Sequence, residues 1–202
     1  MADELDALTL AAARRGDPAA LARLVQFYER PVFALVGRLL CGRRHLCVED
    51  VAQDVFVRVV RGIHRFNPEG PAQLSTWILT VATRACLNSL RARFREEPLP
   101  REHSERPDRG ASPEELTLDR EREGQVAGAM AALPEEMRAV LVLRAYHDLD
   151  YPEIAAALDL EIGTVKSRLS RARAALRRAM ARHEDADEAA DLAAATGQER
   201  AS

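Results

Sequence analysis

The stretch from Asp150 to Arg182 leaves this chain the least conformational freedom. Asp150-Tyr-Pro-Glu153 puts a capping acceptor three residues before a glutamate, close to the reciprocal capping pair that starts a helix, and Pro152 is tolerated in a first turn. Ile154, Ala155 and Leu158 then recur at helical spacing as an inner face, with a small residue where two helices must approach closely. After a short turn, Gly163-Thr-Val-Lys-Ser-Arg-Leu-Ser-Arg-Ala-Arg173 begins a second helix. Its Val165 and Leu169, four apart, are placed to pack on Ile154 and Leu158. Upstream, Leu133-Pro134-Glu135 opens another helix carrying Val140, Leu141 and Leu143. The pattern predicts a helix-turn-helix over residues 150–182. Thr164, Lys166, Ser167, Arg168, Ser170 and Arg171 are left outward or flanking, as donors suited to base edges and phosphates in a major groove.

Charge supports that reading. The formal net charge of −3 averages over two opposed segments. Residues 163–182 carry Lys166, Arg168, Arg171, Arg173, Arg177, Arg178 and Arg182 and no acid, whereas residues 183–202 are rich in Asp and Glu. Most basic helices are solvated faces with no partner. A helix free of acids, on a tri-helical apolar frame, points instead to a polyanion. The acidic, Ala-rich tail at 183–202 reads as a frayed helix or a disordered end, either merely solubilising or folded back on the basic helix.

The N-terminal part is also helical. Leu21, Leu24, Val25, Tyr28, Val32, Leu35, Val36 and Leu39 fall on one face, and Pro31 within that run predicts a kink or break. A second helix spans about 48–65 on a stripe of Val51, Val55, Val59 and Ile63. Acids at its start (Glu49, Asp50, Asp54) and arginines at its end (Arg58, Arg61, Arg65) match the helix dipole. After the turn Phe66-Asn-Pro-Glu-Gly-Pro71, Ser75 is expected to cap a third helix that runs to about Arg93. No strand pattern occurs, and aromatics are only 4%, so the fold class is all-α: two small helical domains joined by a flexible linker, the second containing the helix-turn-helix.

Residues 95–113, rich in Pro and charge and without apolar periodicity, are that linker. They divide the chain into an N-terminal domain at 1–94, a C-terminal domain at 114–182, and the tail at 183–202. There is no apolar run long enough to span a bilayer, and the acidic start lacks the basic opening of a signal peptide, so a cytoplasmic protein is expected. Cys41, His45 and Cys47 lie close together, but their spacing fits no common zinc pattern and a fourth ligand is not evident. With Cys86 they are expected to be reduced thiols, and no metal or cofactor is expected. There is no phosphate-cradling glycine loop and no nucleophile–base pair, so the chain is not expected to be an enzyme.

Three stretches together resemble the extracytoplasmic-function (ECF) group of bacterial RNA polymerase sigma factors. They are Glu49-Asp-Val-Ala-Gln-Asp-Val-Phe-Val-Arg-Val59, Leu74-Ser-Thr-Trp-Ile-Leu-Thr-Val-Ala82, and Asp150-Tyr-Pro-Glu-Ile-Ala155 followed by Gly163–Arg173. Their order and the variable linker between the second and third also match, and the likeness covers about residues 18–180. It implies a factor that binds core RNA polymerase, recognises two promoter elements, helps melt promoter DNA, and is often held inactive by an anti-sigma factor. On this resemblance, the helix at 48–65 docks on polymerase through Asp50, Gln53, Asp54 and Phe56. Asn67, Leu74 and Ser75 line a pocket for a flipped base of the minus-ten element, with Trp77 as a wall or as core. Arg84, Asn88 and Arg91 share one face and hold the duplex or the displaced strand. The helix-turn-helix reads the minus-thirty-five element. The chain departs from the pattern at Leu74, where the family often has Phe, and at Asp159, where Gly is common; Asp tolerates a left-handed conformation. A second reading is a self-sufficient helix-turn-helix regulator whose N-terminal domain senses or dimerises. Such a protein would not need the Glu49–Val59 and Leu74–Ala82 stretches in this form.

Overall fold

The computed structural model describes residues 4–43, 46–93 and 124–199, with residues 183–199 given by backbone alone. The expected linker at 95–113 lies outside the described residues, as does His45. Among the described residues every regular element is helical. In chain order they are α1 (Ala7–Arg14), α2 (Pro18–Leu39), α3 (Val48–Gly62) with a 3-10 turn at Ile63–Arg65, α4 (Leu74–Arg93), α5 (124–131), α6 (Glu135–Tyr146), α7 (Tyr151–Leu158) and α8 (Ile162–Glu199).

The first helices start where side chains can take up free backbone N–H groups. Asp6 accepts from the Thr9 N–H at 2.9 Å and Asp17 from the Ala20 N–H at 2.8 Å, with Pro18 opening α2. The apolar stripe read from α2 faces inward: Leu24, Tyr28, Val32, Leu35, Val36 and Leu39 are buried, with Leu21 and Val25 half-buried. Pro31 does not break this helix, which runs through it. The buried residues on both sides of Pro31 hold the two halves in line despite the absent N–H.

Val51, Val55, Val59 and Ile63 bury one side of α3 and its terminal turn against α2 and α4. The third helix starts two residues earlier than expected from a cap at Ser75. Leu74 is its first helical residue, and the Trp77 N–H reaches the Gln73 carbonyl at 3.0 Å. Ser75 is therefore inside the first turn rather than at the cap, and its N–H is taken by Glu4 Oε1 at 3.1 Å. A glutamate far away in sequence thus supplies the acceptor that local capping would have given.

In the C-terminal part, α6, α7 and α8 pack on one another. The pair Asp150 and Glu153 forms the full capping box: the Glu153 N–H donates to Asp150 Oδ1 and the Asp150 N–H donates to Glu153 Oε2, both at 2.8 Å. Removing this acceptor with Asp150→Ala should lower stability by about 1 kcal/mol. A thermal denaturation curve checks it: an unchanged midpoint would mean that water or a neighbour caps α7 equally well. Asp159 ends α7 at φ 56° and ψ 54°, the left-handed conformation expected there. α8 continues as helix to Glu199, so the backbone of the acidic tail extends along the helix axis and does not fold back on its first turns.

The two parts pack together. α2 and α4 of the first meet α6 and α7 of the second, and one apolar core includes residues of both.

Candidate functional site

The helix-turn-helix is built on a small apolar wedge. Val165, Leu169 and Ala172 of α8 are buried with Ile154 and Ala157 of α7. Burying that stripe turns the opposite side of α8 to solvent. Lys166, Ser167, Ser170 and Arg171 are exposed, and Thr164 and Arg168 are half-buried. Local contacts hold these side chains. The Ser167 hydroxyl donates to the Thr164 carbonyl at 3.0 Å, and Arg171 donates from Nε to the Ser167 carbonyl and from Nη2 to Ser167 Oγ, both at 3.2 Å. The Lys166 ammonium stands 5.9 Å from the centre of the Tyr151 ring. The result is a row of cations and hydroxyls along the first turns of a helix, aligned by a rigid apolar back.

On α3, Asp50 and Gln53 are exposed while Asp54 and Phe56 are half-buried. Asp54 pairs with Arg58 at 2.8 Å, one helical turn on. Phe56 packs against the core, which separates it from the exposed acids. Val57 belongs with them instead: it is 46% exposed and lies off the apolar stripe, three residues after Asp54 and four after Gln53. An apolar residue out of phase with the stripe was the sequence signal for it.

The residues expected to line a base pocket differ in exposure. Leu74 and Ser75 are buried, whereas Asn67 is exposed in a turn where its Oδ1 accepts from the Glu69 N–H at 3.2 Å. Trp77 is half-buried, its ring 5.6 Å from that of Phe66 and packed close over Gly62. It serves as the edge of the core in this arrangement.

Arg84, Asn88 and Arg91 do share an exposed face of α4. Arg84 donates to the carbonyls of Ala157 at 2.9 Å and Ala156 at 3.0 Å, at the C-terminal end of α7. Its cation thereby meets the negative end of that helix dipole. Thr76, two turns earlier on α4, donates to Glu153 Oε1 at 3.0 Å, at the other end of α7. Between α2, the start of α4 and the α6–α7 turn lies a groove of about 880 Å³ whose walls include Phe27, Arg38, Tyr146 and His147. Arg38 stacks over the Tyr146 ring at 4.1 Å. Burial, reinforced by Arg38, pushes the His147 pKa down to about 4, so its imidazole is neutral near pH 7.

Arg138 is a residue that sequence reasoning missed. It is fully buried, and its two terminal nitrogens donate to four carbonyls: Leu39 at 2.8 Å, Cys41 at 2.9 Å, and Ala131 and Leu133 at 3.0 Å each. The first two acceptors lie at the end of α2 and the others in the α5–α6 turn. Burial depresses the guanidinium pKa, with Arg43 nearby adding to it. Of the two half-buried cysteines, Cys41 Sγ donates across to the Ala127 carbonyl on α5, whereas Cys47 Sγ donates to Glu49, two residues on.

Comparison with known proteins places this geometry. A model described as Sigma-70 region 2 matches residues 24–96, and one described as Sigma-70, region 4 matches residues 123–176. The chain is 31% identical over 189 residues to the RNA polymerase sigma-H factor of Pseudomonas aeruginosa, covering 89% of this chain and 96% of that one. It is 32% identical over 186 residues to the ECF RNA polymerase sigma-E factor of Escherichia coli, covering 87% and 95%. Similarity to the ECF RNA polymerase sigma factor SigE of Mycolicibacterium smegmatis is 34% over 173 residues, 83% of this chain but 65% of that longer protein. Among solved structures, CnrH in complex with the cytosolic domain of CnrY superimposes with a TM-score of 0.59 at 26% identity, over 86% of this chain and 95% of that one. The sigma factor RpoE of Bartonella quintana, solved with the anti-sigma factor NepR, has the same fold, with a TM-score of 0.62 at 21% identity over 79% and 95%.

Proposed function

The chain belongs to the ECF group of bacterial RNA polymerase sigma factors, and on that premise we propose which of its residues carry out the work of initiation. Members of this family bring core RNA polymerase to promoters. In this chain we assign the polymerase contact to α3, through Asp50, Gln53, Asp54 and Phe56, with Val57 extending the exposed surface. The minus-ten element and melted strand go to the turn and helix bearing Asn67, Leu74, Ser75, Trp77, Arg84, Asn88 and Arg91. The minus-thirty-five element goes to Thr164, Lys166, Ser167, Arg168, Ser170 and Arg171. The functional division follows the sequence: 1–94 for polymerase and the minus-ten element, 95–113 as linker, 114–182 for the minus-thirty-five element. The factor acts in the cytoplasm and catalyses no reaction of its own. Among the described residues no helix is long and apolar enough to cross a membrane. An anti-sigma factor is the inferred regulatory partner.

One observation carries this assignment: the basic face of α8 is turned outward by the burial of Val165 and Leu169, in a chain that also matches region 2. The match to region 2 favours a polymerase-dependent factor over a self-sufficient regulator. The test is transcription in vitro from a random-promoter library, with core polymerase, with and without this protein. Start sites that depend on the protein and share a two-part upstream motif support the assignment. Binding of the protein alone to a defined duplex site, with no polymerase-dependent initiation, would favour the regulator.

On a promoter so selected, Lys166→Ala and Arg171→Ala should each weaken use of the upstream element by about 1–3 kcal/mol, roughly 5- to 150-fold. The loss is largest where the lost contact is to a base. Both side chains are exposed, so melting should not change. Undiminished transcription from the same promoter by both variants would remove the first turns of α8 from DNA recognition.

A further inference from the structure

The residues assigned to DNA leave four of the seven basic residues of α8 without a role. Arg173, Arg177, Arg178 and Arg182 lie beyond the reading face at Thr164–Arg171, and all four are exposed. Among the described side chains none of the four is paired with an acid. The next charged residues on the same helix are Glu184, Asp185, Asp187, Glu188 and Asp191, and its backbone runs on to Glu199.

The apolar stripe of α8 also outlasts its cover. Val165, Leu169 and Ala172 are buried where α6 and α7 pack on α8, but Leu176, Ala179 and Met180, which continue the stripe, are only half-buried. At about 1.5 Å per residue the 38-residue α8 is about 57 Å long and the 12-residue α6 about 18 Å. The distal half of α8 therefore outruns the helices that cover its start. A helix in water draws most of its stability from packing its apolar face, so this half calls for a partner.

The order of charges selects that partner. On a 3.6-residue period, Arg173 and Arg177 fall on one flank of the stripe, and positions 184 and 188, both Glu, fall on the same flank. Both pairs are spaced by four, and they stand at equal distances on either side of the midpoint between Met180 and Ala181. A second α8 turned end for end about that midpoint sets residues 173 and 177 of each copy opposite residues 188 and 184 of the other. A flank of one sign would meet its own copy with repulsion.

We propose that two copies of this chain associate through the distal part of α8, as an antiparallel helix pair over residues 173–188 centred at Met180 and Ala181. The same surface serves on both copies, basic end on acidic end. The pair uses none of the residues assigned to promoter DNA, and it does not depend on the sigma-factor reading. It stops at Arg173 because α6 and α7 take over the stripe from Ala172 inward. The paired stretch is about 24 Å long, which makes a small interface. Exposed ion pairs add little each and are screened by salt, so the association is weak and salt-sensitive.

The test uses the full chain. Sedimentation velocity over a concentration series reads association, and circular dichroism reads helix content. At low salt the weight-average mass of the wild type should rise with concentration from that of one chain toward that of two. At about 1 M salt, where screening acts within about 3 Å, it should return to that of one chain. Arg173→Glu with Arg177→Glu makes all four flank positions acidic, and Glu184→Arg with Glu188→Arg makes all four basic. Each double variant alone should associate at least about tenfold more weakly than the wild type, because like charges then face each other. Mixed one to one, the two should associate at least as tightly as the wild type, one acidic chain with one basic chain. A wild type that stays monomeric at every concentration overturns the proposal, as does a mixture that fails to recover association. Undiminished association of either double variant alone also overturns it. If a double variant loses helix, the wild-type concentration and salt series decides. Fluorescence anisotropy with a labelled mixed-sequence duplex reads the competing occupant. A monomeric wild type whose duplex affinity falls on Arg173→Glu with Arg177→Glu would give these arginines to DNA phosphates and not to a second copy.

Discussion

Leu169→Ala should abolish promoter recognition by unfolding the surface that carries it. Leu169 is 2% exposed and packs in the wedge between α7 and α8 with Val165 and Ile154. Truncating a buried leucine removes its transfer energy and leaves a cavity, at a cost of about 2–5 kcal/mol. A small domain is stable by only about 5–15 kcal/mol, so the loss takes a large share of the total. This apolar strip is the buried part of the contact between α7 and α8. The expected result is a thermal midpoint lower by on the order of 10 °C or more, together with loss of protein-dependent initiation. Lys166→Ala is the informative companion, since it should impair initiation on the same promoter with an unchanged melt. A wild-type midpoint for Leu169→Ala would show that α7 and α8 are held by something other than this wedge.

Arg138→Ala should be the most damaging single change at the junction between the two parts. It strips the donors from four carbonyls, two at the end of α2 and two in the α5–α6 turn. An acceptor left buried and unpaired costs about 1–3 kcal/mol, and water entering the space will relieve some of the four. A loss of about 3 kcal/mol or more is therefore expected in chemical denaturation. Arg138→Lys should recover little of it. An ammonium has three donors around one point and lacks the planar fork that spans these carbonyls. Full recovery with lysine would mean that charge at the α2 terminus, rather than the bidentate geometry, is what matters there. The prediction differs in kind from the one for Leu169: a core cavity weakens one domain from within, whereas loss of Arg138 releases one domain from the other.

The proposed roles of Ser75 and Leu74 toward DNA require side chains that are buried in this structure to become exposed. Both are buried, and Glu4 holds the Ser75 N–H. Arg84, Asn88 and Arg91 are already on one exposed face, with Arg84 bonded to the end of α7 and Arg91 near Glu136. The difference is physical: residues spaced by three and four on one helix share a face in any tertiary context, whereas a residue in a first turn is exposed or buried according to what lies across from it.

The sequence by itself determined the features that act over one or two helical turns. The apolar stripes of α2 and α3 are buried as the 3.6-residue period requires. The Asp150–Glu153 capping box forms because donor and acceptor are three residues apart. Asp159 takes the left-handed turn because its short polar side chain permits it. The outward row from Thr164 to Arg171 follows from the buried positions of Val165 and Leu169. Only the tertiary structure decided that Arg138 is buried, that Gly42 must be small, that Glu4 occupies the Ser75 N–H, and that Glu136 bridges two arginines. Pro31, expected to kink or break α2, was likewise carried through by packing on both sides. The reason is separation along the chain. The partners of Arg138 at Leu39 and Cys41 lie 99 and 97 residues away, and those of Arg84 lie 72 and 73 away. No periodicity encodes a contact at that range; it is fixed by which helix faces meet when the two parts close on each other.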